Sequence, residues 1–136
     1  MYLFTRAGRF GPGSVREGMS FVSTITEKVH QETGLDVHAW AASMSPELGT
    51  IVWASIVDTL EELEAADDKL AVSDQFVTLA EQGSKLFVGP LQDSIAQVVL
   101  GSFDRGAPLP AYVAVARATA ANGKLREAMA AGVELG

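Results

Sequence analysis

The chain predicts an α+β fold, an antiparallel sheet with helices packed on it, and three observations carry that expectation. Short runs of aromatic and β-branched residues alternate with long amphipathic segments in the order β-α-β-β-α-β. Glycine, proline and serine punctuate the runs where turns belong. The beginning of the chain is also faintly repeated near its end. Laid over position 111 without a gap, the N-terminus matches Tyr2 with Tyr112, Gly13 with Gly123, Arg16 with Arg126, Glu17 with Glu127 and Met19 with Met129.

The first strand spans residues 1–10 and runs into Gly11-Pro12-Gly13. Ser14 stands three positions before Glu17, a capping-box spacing in which hydroxyl and carboxylate satisfy orphan amides reciprocally. Val15, Met19, Val22, Ile25 and Val29 then recur at helical spacing, and Gly34 supplies the stop, which predicts a helix over 14–32. Residues 36–44 and 50–57 read as two strands joined by Ser45-Pro46-Glu47-Leu48-Gly49. The second of them is almost wholly apolar, as expected of a strand covered on both faces. Thr59 with Glu62 forms a second capping box, and the acidic first turn suits the helix dipole. Leu60, Leu63 and Leu70 give this helix a core stripe. It restarts at Ser73, before Phe76, Val77 and Leu79, and ends at Gly83. Residues 94–103 are predicted as the fourth strand. The element order is the ferredoxin-like one.

Residues 104–110 form a linker by composition, so the predicted domain is 1–103 and the C-terminal arm is 111–136. The echo makes 112–119 a strand and 124–135 a helix, a strand–helix arm or the start of a truncated second repeat. Alanine propensity instead makes 110–121 a helix closed by Asn122-Gly123, giving a helical hairpin. The alternation of Val113 and Val115 favours the strand.

Composition narrows the function. At 136 residues the chain suits one domain with an appendage. It has no cysteine, which removes disulfides, thiolate metal sites and cysteine nucleophiles and fits a cytoplasmic location. A net charge of −7 disfavours nucleic acid. No apolar run reaches the roughly 18 residues of a membrane span, and the N-terminus does not read as a signal peptide. The glycines of residues 8–13 invite a phosphate-loop reading, but Arg16 stands where the dinucleotide pattern needs glycine, and Gly123-Lys124 is followed by Leu125. No cofactor is expected. Two histidines on different elements make no metal site.

The pattern resembles the dimeric α+β barrel superfamily, which includes NIPSNAP-like, stress-responsive and antibiotic-biosynthesis-monooxygenase-like proteins. The resemblance covers residues 1–103. It rests on the βαββαβ order, on the acidic second helix that restarts before an aromatic (TLEELEAADDKLAVSDQFVTLAEQ), and on a sheet apolar on both faces. It implies two sheets facing each other across a dimer, a pocket between sheet and helices, and no shared catalytic signature. The residues argue for a partner independently. One face of the first strand carries Tyr2, Phe4, Arg6, Gly8 and Phe10, and the other Met1, Leu3, Thr5 and Ala7. Two helices cover one side of a sheet, so a homo-oligomer built through the other is expected.

Candidate site residues are few. His38 and Trp40 lie two apart on a strand and share a face, which makes His38 a candidate acid/base. The commoner role for such a histidine is in a core or an interface. Arg6, alternating with Phe4 and Tyr2, is a candidate holder of a carboxylate or enolate oxygen, or simply the partner of an acid. Tyr2, Phe4, Trp40 and Trp53 are candidate pocket walls; the hairpin register decides whether the two tryptophans share a face. His30 near a helix end reads as a surface residue. Glu61, Glu62, Glu64, Asp67 and Asp68 read as a solvated helix face. The functional expectation is a non-catalytic small-organic-ligand-binding or assembly module. The alternative is a cofactor-independent enzyme of monooxygenase or isomerase type.

Overall fold

The computed structural model describes residues 1–44, 47–104 and 107–135. Ser45 and Pro46 of the expected hairpin turn, Arg105 and Gly106 of the expected linker, and Gly136 lie outside the described residues. The elements are β1 (Tyr2–Phe10), α1 (Val15–Thr33), β2 (Val37–Ala41), β3 (Thr50–Val57), α2 (Leu60–Ala71), α3 (Asp74–Ser84), β4 (Phe87–Gln97) and α4 (Leu125–Leu135). The four strands form one antiparallel sheet in the order β2-β3-β1-β4. That is the βαββαβ ferredoxin-like arrangement, with the second helix divided in two. The chain divides into two compact units, Met1–Val98 and Val99–Gly136.

In the first unit, β3 alternates strictly. Ile51, Trp53, Ser55 and Val57 are buried and the residues between them are half-buried. The buried set faces α1. Phe10, Val22, Ile25, Ile51 and Trp53 form the core, with Phe21, Phe76, Leu79 and Phe87 packed on it. Gly18 lets α1 approach the sheet closely, because a Cβ there would stand 2.5 Å from the Phe10 ring. The indole of Trp53 donates to Thr26 Oγ1 at 3.0 Å, and that hydroxyl donates to the Val22 carbonyl at 2.7 Å. The one buried indole in the core is thereby satisfied.

The helix ends differ from expectation in one case. Ser14 makes no side-chain cap. Its N–H bonds to the Gly11 carbonyl in a turn, leaving the residue at φ −98°, ψ 2° rather than in the extended conformation a capping hydroxyl needs. Thr59 caps α2 by accepting from the Glu62 amide at 3.3 Å, while Glu62 Oε2 accepts from the Asp58 amide, one residue upstream of the usual box. Ser73 caps α3 through the Phe76 amide. Its hydroxyl also reaches Glu32, which pairs with Lys28, so the restart of the second helix is tied to the end of α1.

The fourth strand occupies 87–97 rather than 94–103. Gly89 and Pro90 both lie inside β4. Between Ala7 and Arg9 the β1–β4 register shifts, and the extra residues form a bulge in which Gly89 takes φ 72°. β4 is an edge strand, where a proline need not donate to the ladder.

In the second unit the echo is half realised. Ser14 N–H bonds to Gly11 O and Gly18 N–H to Ser14 O; in the same offset, Lys124 N–H bonds to Ala121 O and Ala128 N–H to Lys124 O. Gly13 and Gly123 take φ 82° and 78°, and helices begin at Val15 and Leu125. The turn and helix start are thus built twice. The strand is not: residues 112–119 belong to neither strand nor helix. This excludes the helical hairpin as well, since the only helix described in the second unit is α4.

Candidate functional site

The register sorts the candidate residues onto two faces. Directly paired residues of antiparallel strands share a face, and neighbours along a strand alternate. Arg6 pairs with Trp53, Phe4 with Ser55 and Tyr2 with Val57. All of these stand on the helix side. Trp40 pairs with Val52 and His38 with Ala54, so both project from the opposite side, which carries none of the helices of the first unit and is called the helix-free side for that reason. Trp40 and Trp53 therefore do not share a face. The six candidates divide into Tyr2, Phe4, Arg6 and Trp53 on one side and His38 and Trp40 on the other, so one face of this sheet does not hold both His38 and Arg6.

On the helix side Arg6 has its partner within the sheet. Its Nε donates to Asp93 Oδ1 and its Nη2 to Asp93 Oδ2, both at 2.7 Å, across the β1–β4 pair. The guanidinium also lies 5.8 Å from the centre of the Phe4 ring. The hydrogen bonds from Arg6 hold the Asp93 carboxyl below the usual carboxylate range, and those bonds to Asp93, with a smaller contribution from Asp67 on α2, raise the Arg6 guanidinium. An incoming carboxylate would have to compete with a fork already filled. Around this pair the β4 end of the helix side is open: Ile95 is 53% exposed and Leu91 43%. Asp93 escaped sequence reasoning because it precedes the predicted strand. Phe87, Leu91, Asp93 and Ile95 form one alternating row only once the bulge is known. Thr26 was missed too, since a threonine within a helix gives no sign of an indole above it.

The helix-free side has a different character. Its central strands present Leu3, Thr5 and Ala7 on β1 and Val52, Ala54 and Ile56 on β3, with Arg9 and Thr50 at one end of the face. On β2, Trp40 adds an indole and His38 an imidazole whose Nε2 lies 3.1 Å from Asp36 Oδ1. Ala96, Ser94 and Gln92 complete the face on β4. His30, in the last turn of α1, is exposed and its Nδ1 lies 2.8 Å from the Leu35 carbonyl. The described residues include no cluster of three or more metal-ligating side chains. Among them, no helix is long and apolar enough to cross a membrane.

No protein-family model and no curated protein matches the chain. Solved structures do. A NIPSNAP domain protein from Burkholderia xenovorans aligns with TM-score 0.65 at 15% identity, over 76% of this chain and all of that one. A NIPSNAP family protein of unknown function from Agrobacterium tumefaciens gives 0.61 at 14%, over 71% of this chain and 86% of that one. A putative antibiotic biosynthesis monooxygenase from Nitrosomonas europaea gives 0.59 at 12%, over 74% of this chain and all of that one. At such identities function does not travel with architecture. What the likeness establishes is that the chain has the ferredoxin-like α+β fold of NIPSNAP-domain and antibiotic-biosynthesis-monooxygenase structures.

Proposed function

We propose that this protein is a non-catalytic, homo-oligomeric module that assembles through the helix-free face of its sheet and binds a small organic ligand. The observation that carries the reading is the uncharged centre of that face, Leu3, Thr5, Ala7, Val52, Ala54 and Ile56, flanked by Trp40. Each Å² of apolar surface removed from water is worth roughly 25 cal/mol, and α1, α2 and α3 lie on the other side. A second copy supplies an identical, self-complementary lid. His38 with Asp36 then sits at the margin of the contact as an interface histidine. The ligand surface in this reading is the open strip of Tyr2, Phe4, Ile95 and Leu91 around the neutralised Arg6–Asp93 pair, which favours an apolar or aromatic molecule over a simple anion. The enzyme alternative draws no support from the geometry, because its proposed acid/base and anion holder project from opposite faces. A cytoplasmic location belongs to the same proposal and rests on the absence of cysteine.

The test is sedimentation at low micromolar concentration. Twice the 14.3 kDa chain mass is expected, and Val52→Lys should return the single-chain mass with its circular dichroism unchanged. Native protein that sediments as a lone chain overturns the assembly. For the ligand, a thermal-shift panel of small aromatic compounds should give stabilisation that Phe4→Ala removes; shifts indifferent to Phe4 overturn the strip.

A further inference from the structure

We infer that the open strip on the helix side takes an organic cation, an aromatic or apolar body that carries one ammonium or amidinium group. The inference rests on the reading of that strip as the ligand surface and adds the charge of the ligand to it. Every group it invokes lies in the first compact unit, Met1–Val98.

Three charged side chains meet at the strip. Arg6 and Asp93 neutralise each other through two hydrogen bonds of 2.7 Å. The third is Asp67 on α2. Leu63, Asp67 and Leu70 stand at i, i+4 and i+7 and so share one side of that helix. Both leucines are half-buried, and Ala66 beside Asp67 is buried. Asp67 therefore stands at the edge of the packed side of α2, and its charge reaches Arg6, where it adds to the effect of Asp93 in raising the guanidinium. Among the described residues, the charges acting on Arg6 are these two carboxylates. Lys69, two positions further along α2, lines a separate groove with Thr33, Gly34 and Leu35. The strip thus sets two carboxylates against one guanidinium and holds one negative charge in excess.

That excess selects the ligand. An anion finds the Arg6 fork filled and a second carboxylate close by. A cation finds acceptors: each Asp93 oxygen takes one hydrogen bond from Arg6, and a carboxylate offers about four acceptor positions. The Asp93 side chain is exposed, so the remaining positions are within reach of a ligand. The rings act in the same direction. The Arg6 guanidinium already lies 5.8 Å from the centre of the Phe4 ring, and aromatic faces attract a positive group. Leu91 and Ile95 give the body of the ligand an apolar bed. A metal ion fits less well. A hard divalent cation asks for about six oxygen ligands, and the described residues hold no cluster of three possible ones.

Benzamidine, benzamide and benzoate are close in shape and differ in charge, so they test the inference on the full-length protein. Dissociation constants from ligand-observed NMR should rank benzamidine first and benzoate last. Benzamidine should bind about three- to fivefold tighter than benzamide, the scale of one partly exposed charge contact. Salt at about 0.5 M should erase most of that difference. Asp67→Asn should bring benzamidine close to benzamide and leave benzamide unchanged, while Phe4→Ala weakens all three. Ile95→Ser, at an exposed position, takes the place of Phe4→Ala where that variant loses its native circular dichroism. Equal binding of benzamidine and benzamide, both weakened by Phe4→Ala, overturns the inference and leaves the strip standing as a ligand surface. A benzamidine preference indifferent to Asp67→Asn, or a preference for benzoate, also overturns it. Binding that is absent, or that ignores both Phe4 and Ile95, removes the strip itself.

Discussion

Residues 1–19 and 111–129 share a sequence pattern and a turn–helix geometry, and they part company at the strand. Gly13 and Gly123 adopt the same left-handed conformation, and the first helical hydrogen bonds are made by the same positions. These bonds span three or four residues, so the segment itself contains everything required. β1 makes its bonds to residues 50–57 and 87–97 instead. Without such neighbours the arm has the pattern of a strand and no ladder. A repeated sequence thus reproduces its local structure wherever it falls, and its non-local structure only where a partner stands.

Substitutions in the two segments should widen that difference. The largest effect belongs to Phe10→Ala, which empties a core site 5% exposed and should cost about 3–5 kcal/mol in urea unfolding. Tyr112→Ala, in the arm, should stay within about 0.5 kcal/mol. Next comes Gly18→Ala. Its counterpart in the arm is Ala128. At Gly18 the Phe10 ring lies where the methyl must go, and overpacking should cost about 1–3 kcal/mol. Replacing the turn glycines tests the shared part: Gly13→Ala and Gly123→Ala should each cost about 1–2 kcal/mol locally. The first should lower the main unfolding transition; the second should reduce helical circular dichroism and leave that transition in place. Equal effects of both on the main transition would break the comparison.

The smallest effect concerns Arg6, whose counterpart in the arm is Ala116. With side chains 39% and 46% exposed, the Arg6–Asp93 pair should contribute under about 1 kcal/mol. Asp93 is depressed in the folded state, so its contribution is present above the ordinary carboxylate pKa of about 4. It is lost as pH falls through the lowered folded value. Native protein and Asp93→Asn should therefore differ slightly in urea unfolding at neutral pH and converge as pH falls below the lowered folded value.

The legible parts of this protein were those whose causes sit within a few residues. The 3.6-residue spacing of Val22 and Ile25, the caps at Thr59 and Ser73, the apolar run of β3 and the break between α2 and α3 are all local, and they yield the βαββαβ order. Where a distant element overrode a local signal, the sequence misled. The apolar run after Ser94 drew the fourth strand to 94–103, whereas pairing with β1 places it at 87–97, so β4 and Asp93 were misplaced together. Ser14 looks like a cap, and the turn at Gly11 holds it elsewhere.

The division between the two sources is sharpest at the candidate site. By itself the sequence determined the elements, the apolar character of both sheet faces and the list of chemically able residues, because each follows from composition and short spacing. The tertiary structure alone decided which of those residues stand together. The strand registers put Trp53 on the α1 side and Trp40 and His38 on the other, and gave Arg6 to Asp93. Strand pairing is fixed by partners far along the chain, and a shift of one residue would have reversed every one of those assignments.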